Sequence, residues 1–235
     1  MIQTVIDAFR ECSLEEYATV ENTEKFAKLA VMLTEANEKM NITAITDPRG
    51  VAIRHFADSV KAARLIPQGA KVIDVGCGGG FPTLPLAIAR PDLEITALDS
   101  TAKKLTFVES AAKELRLNVK TLAARAEDIG NDPAHREAYD VCVSRAVARL
   151  DVLCELCIPL VRTGGLFIAM KGAAADDELC GAGGAIKALG GKLLDIERFS
   201  LPDAGERAII VTGKISRTSA GYPRQYAKIK KSPLK

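Results

Sequence analysis

The feature that most constrains this chain is a run of glycines directly after a short apolar segment. Lys71–Val75 is rich in β-branched residues and leads into the run 76–80, which holds four glycines in five residues, as a buried strand leads into a tight turn. Glycine there permits positive φ and leaves no β-carbon between the backbone and a ligand. In an open α/β sheet this turn lies at the carboxyl edge, where ligands bind. The run therefore predicts a strand, a ligand-binding loop and a helix that begins near Pro82.

Between residues 71 and 214, apolar segments of strand length alternate with segments of helical periodicity. This alternation predicts βαβ units, and hence a mostly parallel sheet with helices on both faces. Only residues 202–206 separate the last two strands, too few for a helical crossover, so these strands are expected to pair antiparallel. The predicted strands are Lys71–Gly76, Glu94–Asp99, Val119–Ala123, Tyr139–Ser144, Gly165–Lys171, Lys192–Leu201 and Arg207–Lys214, and the helices among them are Pro82–Ala89, Thr101–Leu115, Leu150–Val161 and Asp176–Leu189.

The first 66 residues are predicted to be largely helical. One helix is expected from Thr23 to Met40, with Thr23 as its N-cap, and a shorter one from Arg49 to Leu65. The predicted fold class is α/β: a Rossmann-like, doubly wound, mostly parallel seven-stranded sheet with an antiparallel C-terminal hairpin and a helical N-terminal extension. We divide the chain into that extension (1–66), a ligand-binding domain (67–215) and a basic C-terminal tail (216–235).

Composition is that of an ordinary globular protein, with 48% hydrophobic and 26% charged residues. No apolar run approaches the roughly 18–20 residues that span a bilayer, so a cytoplasmic location and no membrane partner are expected. Cys154 and Cys157 have the C-x-x-C spacing of redox and zinc sites, but no second pair completes a tetrahedral site. We interpret both cysteines as structural and expect no metal.

Charge is distributed unevenly along the chain. Residues 214–235 hold seven basic side chains and no acidic one, whereas residues 1–213 hold the other 25 basic and all 30 acidic side chains, a formal charge of −5. Such a basic block either contacts a polyanion or forms a solvated tail. Because Tyr222 and Tyr226 lie within it, it suits RNA, whose phosphates attract cations and whose unpaired bases stack on aromatic rings.

The ligand of the glycine loop is predicted to contain adenosine. Asp99 lies 19 residues beyond Gly80 at the end of the second strand, where a carboxylate can accept hydrogen bonds from ribose hydroxyls. The dinucleotide fingerprint G-x-G-x-x-G is broken, because the pattern here is G-x-G-G-G with Pro82 two positions after Gly80. These residues alone leave a nicotinamide dinucleotide and other adenosine cofactors open.

A wider set of motifs resembles the glucose-inhibited division protein B family, also called RsmG. The likeness covers nearly the whole chain, with small departures at Cys77, where threonine is commoner, and Thr83, where glycine is commoner. The motifs are DVGCGGGFP at 74–82, NITAI at 41–45, HFADS at 55–59, PLAIARPDL at 85–93, LDS at 98–100, ARAE at 124–127, VSRA at 143–146, KG at 171–172, YPR at 222–224 and KKSPL at 230–234.

The resemblance implies a bacterial methyltransferase of class I that uses S-adenosylmethionine to methylate N7 of a guanine in the 530 loop of 16S rRNA. It further implies a monomer that acts on a small-subunit ribosomal particle. The cofactor contacts expected from the motifs and the strand ends are Gly76, Gly78, Phe81, Asp99, Ser100, Ala126, Glu127 and Arg145.

Arg145 ends the fourth strand and is the predicted catalytic residue, since a guanidinium there could hold the cofactor carboxylate bidentately. The alternative is an exposed arginine at a strand end. No general base is expected, because guanine N7 carries a lone pair and no proton. His55 and Asp58 are interpreted as structural residues that orient the loop before the sheet. The predicted RNA contacts are Arg149, Lys171, Arg224, Lys230 and Lys231.

Two other functions remain open from the sequence. A nicotinamide-dependent oxidoreductase would share the first βαβ unit, although the broken fingerprint and the antiparallel hairpin count against it. A non-catalytic RNA-binding or assembly factor could keep the fold without methyl transfer, although the intact glycine loop and Arg145 count against that.

Overall fold

A seven-stranded sheet forms the centre of the structure, a computed structural model that describes residues 1–235. The strands are β1 (Lys71–Val75), β2 (Glu94–Asp99), β3 (Val119–Ala123), β4 (Tyr139–Arg145), β5 (Val161–Lys171), β6 (Gly191–Leu201) and β7 (Gly205–Lys214). Their order is β3-β2-β1-β4-β5-β7-β6, and β7 alone runs antiparallel to its neighbours, β5 and β6. The predicted sheet and its antiparallel hairpin are confirmed.

Ten helical segments surround the sheet. They are α1 (Ile2–Glu11), α2 (Val20–Met40), α3 (Pro48–Gly50), α4 (Asp58–Val60), α5 (Thr83–Ala89), α6 (Ala102–Glu114), α7 (Ala126–Ile129), α8 (Leu150–Cys157), α9 (Ala175–Ala188) and α10 (Tyr226–Lys231). A π-helix at Val51–Ala57 joins α3 to α4, and 3-10 turns lie at Glu15–Tyr17, Ala63–Leu65 and Ile158–Leu160. No helix is both long and apolar enough to cross a membrane.

Two helix boundaries differ from the prediction. Helix α2 begins at Val20, and its N-cap is Thr19, whose hydroxyl accepts a hydrogen bond from the Asn22 amide at 3.2 Å. The predicted N-cap, Thr23, lies inside the first turn, where its hydroxyl instead donates to the Thr19 carbonyl at 3.0 Å. Helix α8 ends before Pro159, because proline lacks the amide hydrogen that a helix interior requires.

The predicted helix from Arg49 to Leu65 and the predicted start of the fifth strand also change. The segment from 48 to 60 is a π-helix between two short α-helical turns, not one regular helix. Strand β5 begins at Val161, not Gly165, since Val161 pairs with Tyr139 before an irregularity in the register. These differences are local and do not alter the predicted seven-stranded sheet with its antiparallel hairpin.

Two apolar clusters cover the two faces of the sheet, because alternate residues of each strand point to opposite sides. On one face, α1, α2, the π-helix, α5 and α6 pack against strand residues such as Val72 and Ile95. On the other face, α8, α9 and α10 pack against residues such as Ile73 and Phe167. Cys154 and Cys157 are fully buried on this second face, where burial raises the pKa of the Cys154 thiol, as is usual for cysteines that pack in an apolar core.

Candidate active site

The glycine loop follows β1 at the carboxyl edge of the sheet. Gly76, Gly78 and Gly80 have φ of +76°, +54° and +87°, a region that L side chains rarely adopt. The amides of Gly76 and Cys77 donate to the Leu98 carbonyl at 2.8 and 3.1 Å, which fixes the loop to the end of β2. A β-carbon at Gly78 would meet no atom within 4 Å. The loop is therefore rigid but leaves its backbone open at Gly78.

Asp99 connects this loop to the next strand end. One carboxylate oxygen accepts from the Gly78 amide at 2.9 Å, and the other accepts from the Thr101 amide at 2.7 Å. A carboxylate offers about four lone-pair sites, so each oxygen retains capacity for a ligand hydroxyl. Ser100 is exposed beside it.

A cavity of about 530 Å³ runs along the ends of β1 to β4. Its volume lies within the roughly 300–1,000 Å³ usual for small-molecule and cofactor sites. The carboxylate of Glu127 is largely buried and accepts no hydrogen bond from another side chain or amide. All eight residues predicted to contact a cofactor line this cavity: Gly76, Gly78, Phe81, Asp99, Ser100, Ala126, Glu127 and Arg145.

Arg145 is held by residues that precede the sheet in the sequence. Its Nη1 donates to Asp58 Oδ2 at 2.8 Å and to the Arg54 carbonyl at 2.9 Å, and its Nη2 lies 3.3 Å from His55 Nδ1. The side chain is only 14% exposed, so the alternative of an exposed strand-end arginine is wrong. Of five guanidinium hydrogens, the Nε–H and one on Nη2 have no protein acceptor.

His55 lies under Arg145 as a neutral ring. Because an arginine only donates, Nδ1 accepts from Arg145, and Nε2 carries the proton that it donates to Thr43 Oγ1 at 2.8 Å. Burial, and then the nearby Arg145 and Arg54 charges, lower the pKa of His55 to about 3. Its ring stacks on Phe81 with centroids 4.4 Å apart. His55 and Asp58 were expected to orient the loop before the sheet; in the structure both contact the guanidinium of Arg145 and orient it.

A second cavity, of about 610 Å³, lies on the other side of Arg145. His55, Arg145, Ala146 and Val147 line both cavities. Ala146 has φ of +58°, unusual for a residue with a β-carbon. The charged side chains that line the second cavity are Arg54, Asp58, Arg145, Lys171, Glu178 and Arg207.

Lys171 and Arg149 flank the loop after β4 but differ in how far their side chains are exposed to a ligand. Lys171 is 7% exposed, and its Nζ donates to the Ala148 carbonyl and pairs with Glu178, both at 2.6 Å. Glu178 also accepts from the Leu150 amide at 2.7 Å. Lys171 therefore stabilises this loop, and its placement does not support the predicted contact with RNA phosphate. Arg149 is 64% exposed and pairs only loosely with Asp151, at 3.7 Å.

The C-terminal segment, residues 216–235, is packed on the rest of the protein over much of its length. Arg224 donates from Nε and Nη2 to Glu155 at 2.8 and 2.6 Å, and Glu155 is fully buried on α8. This internal ion pair does not support the predicted RNA contact by Arg224. Lys214 is likewise buried, and burial lowers its pKa to about 8. Lys230 and Lys231 are exposed on α10.

The ionisation of Asp74 affects the stability of the fold. It is fully buried in β1, accepts from the Thr83 amide and hydroxyl at 3.1 and 2.6 Å, and has one oxygen without a partner. Burial raises its pKa from 3.8 to about 7. The folded state therefore holds this proton more tightly, and the stability that the proton contributes is lost as pH rises from about 4 to 7.

In the Asp74→Asn variant this side chain cannot ionise. The free energy of unfolding of the wild type should therefore fall relative to that of the variant as pH rises from about 4 to 7. Urea denaturation of both proteins at several pH values measures the difference. Asp140→Asn is the control of opposite sign, because a hydrogen bond from the Lys71 amide lowers the pKa of Asp140. A constant difference between wild type and Asp74→Asn would contradict the buried titration.

Several residues of the first cavity were not singled out as cofactor contacts from the sequence. Ile42 and His55 belong to the motifs NITAI and HFADS, so a signal for them existed in the sequence. Lys104, Arg125 and Tyr226 also face this cavity. Arg125 belongs to the ARAE motif and Tyr226 to the basic C-terminal block, but neither pattern indicated a cofactor contact, and no local pattern distinguishes Lys104 from an ordinary surface residue. Tyr226 comes from the C-terminal segment, about a hundred residues beyond the loop that follows β3.

Comparison with known proteins agrees with this geometry. A family model described as "rRNA small subunit methyltransferase G" matches residues 22–209. A protein of that name from Desulfitobacterium hafniense is 45% identical over 90% of this chain and 89% of its own length. Another, from Clostridium beijerinckii, is 41% identical over 100% of this chain and 98% of its own length.

Solved structures of methyltransferases share the fold at low sequence identity. An O-methyltransferase from Bacillus cereus in complex with SAH has a TM-score of 0.56 at 16% identity, covering 80% of this chain and 91% of its own. A SAM-dependent O-methyltransferase from Thermotoga maritima has a TM-score of 0.54 at 17% identity, covering 80% and 73%. The doubly wound sheet is thus that of class I methyltransferases. From the family model and the relatives together, the chain belongs to the rRNA small subunit methyltransferase G (GidB) family.

Proposed function

We propose that this protein transfers a methyl group from S-adenosylmethionine to N7 of a guanine in the 530 loop of 16S rRNA. The observation that carries the proposal is the pair of cavities that meet at Arg145. The first has the glycine loop and the strand-end carboxylates that suit an adenosine cofactor. The second is the place for a base. A methyl group can pass between two ligands only where their sites adjoin, and these two share a wall.

The residues of the first cavity fit S-adenosylmethionine. Asp99 has lone pairs left for the ribose hydroxyls, and the unpaired Glu127 carboxylate can accept from an amine. The open backbone at Gly78 admits the ligand close to the chain. The two remaining donors of Arg145 suit a carboxylate. When bound, the cofactor supplies an electrophilic methyl group on its sulfonium.

The second cavity suits guanine by its donors and acceptors. Guanine presents O6 and N7 as acceptors, and guanidinium groups are their commonest partners in protein complexes. Arg207 lines the cavity as a donor and Arg145 adds positive charge, while Asp58 and Glu178 could accept from the N–H groups on the other edge of the base. N7 needs no deprotonation before attack, which agrees with His55, a neutral ring with both nitrogens engaged. Catalysis would rest on positioning.

Exposed cations could hold the RNA around the two cavities. Arg149 lies beside the loop that separates them, and Lys228, Lys230 and Lys231 lie on α10. Phosphate neutralisation by such side chains supplies much of the affinity for nucleic acid. We place this reaction in the cytoplasm, carried out by a monomer on a small-subunit ribosomal particle.

Substituting Lys228, Lys230 and Lys231 together with glutamine should weaken binding of the RNA substrate and flatten its dependence on salt. If each lysine contacts one phosphate of single-stranded RNA, the slope of log affinity against log salt should fall by about two. The measurement is KM for ribosomal particles across a salt series.

The matched control removes the same charge elsewhere, with Lys39, Lys113 and Lys120 substituted together. These lysines are exposed on α2, α6 and β3. Equal slopes for the two variants would contradict an RNA contact at α10, since net charge alone would then explain the effect.

The function itself is tested by methyl transfer. Labelled S-adenosylmethionine, small-subunit particles from cells that lack this enzyme, and separate naked 16S rRNA are incubated with the protein. We expect label in the rRNA of the particles and less in naked rRNA. Gly78→Val serves as a control, because it places a β-branched side chain in the cofactor cavity at a φ of +54°. If the wild type binds the cofactor but transfers no label, it is a non-catalytic RNA-binding factor; stabilisation by NADH alone would favour an oxidoreductase.

A further inference from the structure

The C-terminal segment brings an aromatic side chain into the cofactor cavity. Tyr226, the first residue of α10, is half-buried and lines this cavity together with Leu156 of α8 and Ala126 and Glu127 of α7. Tyr226 lies in the basic segment, where an aromatic ring was expected to stack on RNA bases. Its placement indicates a different partner.

The position of Tyr226 is fixed by contacts on both sides of it. Two residues earlier, the main-chain amide and guanidinium of Arg224 donate to the buried Glu155 carboxylate. Three residues later, Ile229 is fully buried in the apolar cluster on this face of the sheet. Upstream, the Asn131 side chain donates to the Pro223 carbonyl at 3.0 Å. The ring is therefore carried by an anchored segment and not by a frayed tail.

The order of the strands indicates which part of the cofactor this ring meets. Arg145 ends β4, the glycine loop ends β1, Asp99 ends β2, and Ala126 and Glu127 follow β3. Since β4, β1, β2 and β3 are successive neighbours, the ribose carboxylate Asp99 lies between the glycine loop and the β3 end. The group beyond the ribose, on the β3 side, is the adenine.

We propose that Tyr226 is a cofactor-binding residue whose ring packs against the adenine of S-adenosylmethionine. The inference rests on the proposed cofactor. A flat aromatic ring and the apolar Leu156 suit a purine. A purine stacks on aromatic side chains through its flat face, whatever hydrogen-bonding groups its edge carries. Lys228, Lys230 and Lys231 lie on the same short helix, α10. This helix therefore lines the adenine site and also carries the exposed cations of the C-terminal segment.

The test is ligand affinity, measured by calorimetry with S-adenosylhomocysteine and with 5′-methylthioadenosine, which keeps the adenosine but lacks the amino-acid portion. Tyr226→Ala should weaken both ligands by about the same factor, roughly tenfold, because both lose the same adenine contact. Tyr226→Phe keeps the ring and should stay within about twofold of the wild type, since stacking does not need the hydroxyl.

Tyr222→Ala is the matched control. Tyr222 lies in the same segment and packs against Arg224, with 5.8 Å from guanidinium to ring, but does not line the cavity. It should leave both affinities unchanged. Unchanged affinity in a folded Tyr226→Ala variant, or an equal loss in Tyr222→Ala, would overturn the inference alone. Failure of the wild type to bind S-adenosylhomocysteine would overturn the proposed function as well.

Discussion

Replacing Arg145 with lysine is expected to lower kcat for methyl transfer by about 100-fold, the loss typical of a displaced positioning group. Arg145 lies between the two cavities, and its guanidinium is held by Asp58, the Arg54 carbonyl and His55. Lysine keeps a cation near Asp58 but lacks the planar fork that can hold Asp58 and a ligand together. The variant should therefore fold and keep an ion pair with Asp58, but it should fail to position the reacting groups.

The control for this substitution is Arg162→Lys, which makes the same change in another arginine–aspartate pair. Arg162 pairs with Asp140 at 2.6 Å near the opposite edge of the sheet, so its loss should leave kcat unchanged. Urea denaturation of both variants shows whether stability changes in parallel. Full kcat and kcat/KM in Arg145→Lys would contradict the role of the guanidinium. Arg145→Ala is less informative, since Asp58 would keep only Arg207 at 3.7 Å.

Replacing Arg224 with methionine is expected to lower the free energy of unfolding by about 3–5 kcal/mol. Glu155 is fully buried, and Arg224 donates to both of its oxygens, from Nε at 2.8 Å and from Nη2 at 2.6 Å. Methionine fills similar space but leaves the carboxylate without a cation. A buried charge that loses its partner is costly, because neither water nor another cation replaces it.

The double variant Arg224→Met with Glu155→Leu separates this cause from a loss of packing. Replacing both members of a buried pair by apolar groups is often close to neutral, so the double variant should recover most of the loss. Arg198→Met is the exposed control: Arg198 and Asp176 are 53% and 65% exposed, and such pairs contribute about 0–1 kcal/mol. A loss below about 1 kcal/mol in Arg224→Met would mean that the C-terminal segment is not anchored here.

The sheet was predictable because each strand has a recognisable local sequence pattern. β-branched runs, glycine turns and helical periodicity alternate along the chain, and the five residues 202–206 expected between the last two strands left no room for a helical crossover. In the structure only residues 202–204 separate β6 from β7. Helix starts were less predictable, since Thr19 and Thr23 both carry the hydroxyl of an N-cap. The π-helix at Val51–Ala57 has no sequence signature of its own. The division at residues 66 and 215 stays a prediction, although residues of α1 and α2 share an apolar cluster with the sheet.

The cofactor site was predictable where motifs end strands, and unpredictable where distant segments meet. Parallel strands place their carboxyl ends at one edge, so Gly76, Asp99 and Glu127 were expected together. Which cations are paired internally depends on contacts across the fold: Arg224 meets Glu155 from 69 residues away, and Lys171 meets the carbonyl of Ala148. Charge counting along the sequence treats these side chains as free, and the structure shows that they are not.

The most direct test of the central claim is the position of the transferred methyl group. Ribosomal RNA methylated by the protein in vitro is treated with borohydride, which reduces N7-methylguanine and causes loss of the base. Aniline then cleaves the chain at the abasic site, and the break is mapped by primer extension. One break is expected, at a guanine of the 530 loop, present with the wild type and absent with Gly78→Val. A labelled rRNA without any break, or with a break outside that loop, would contradict it.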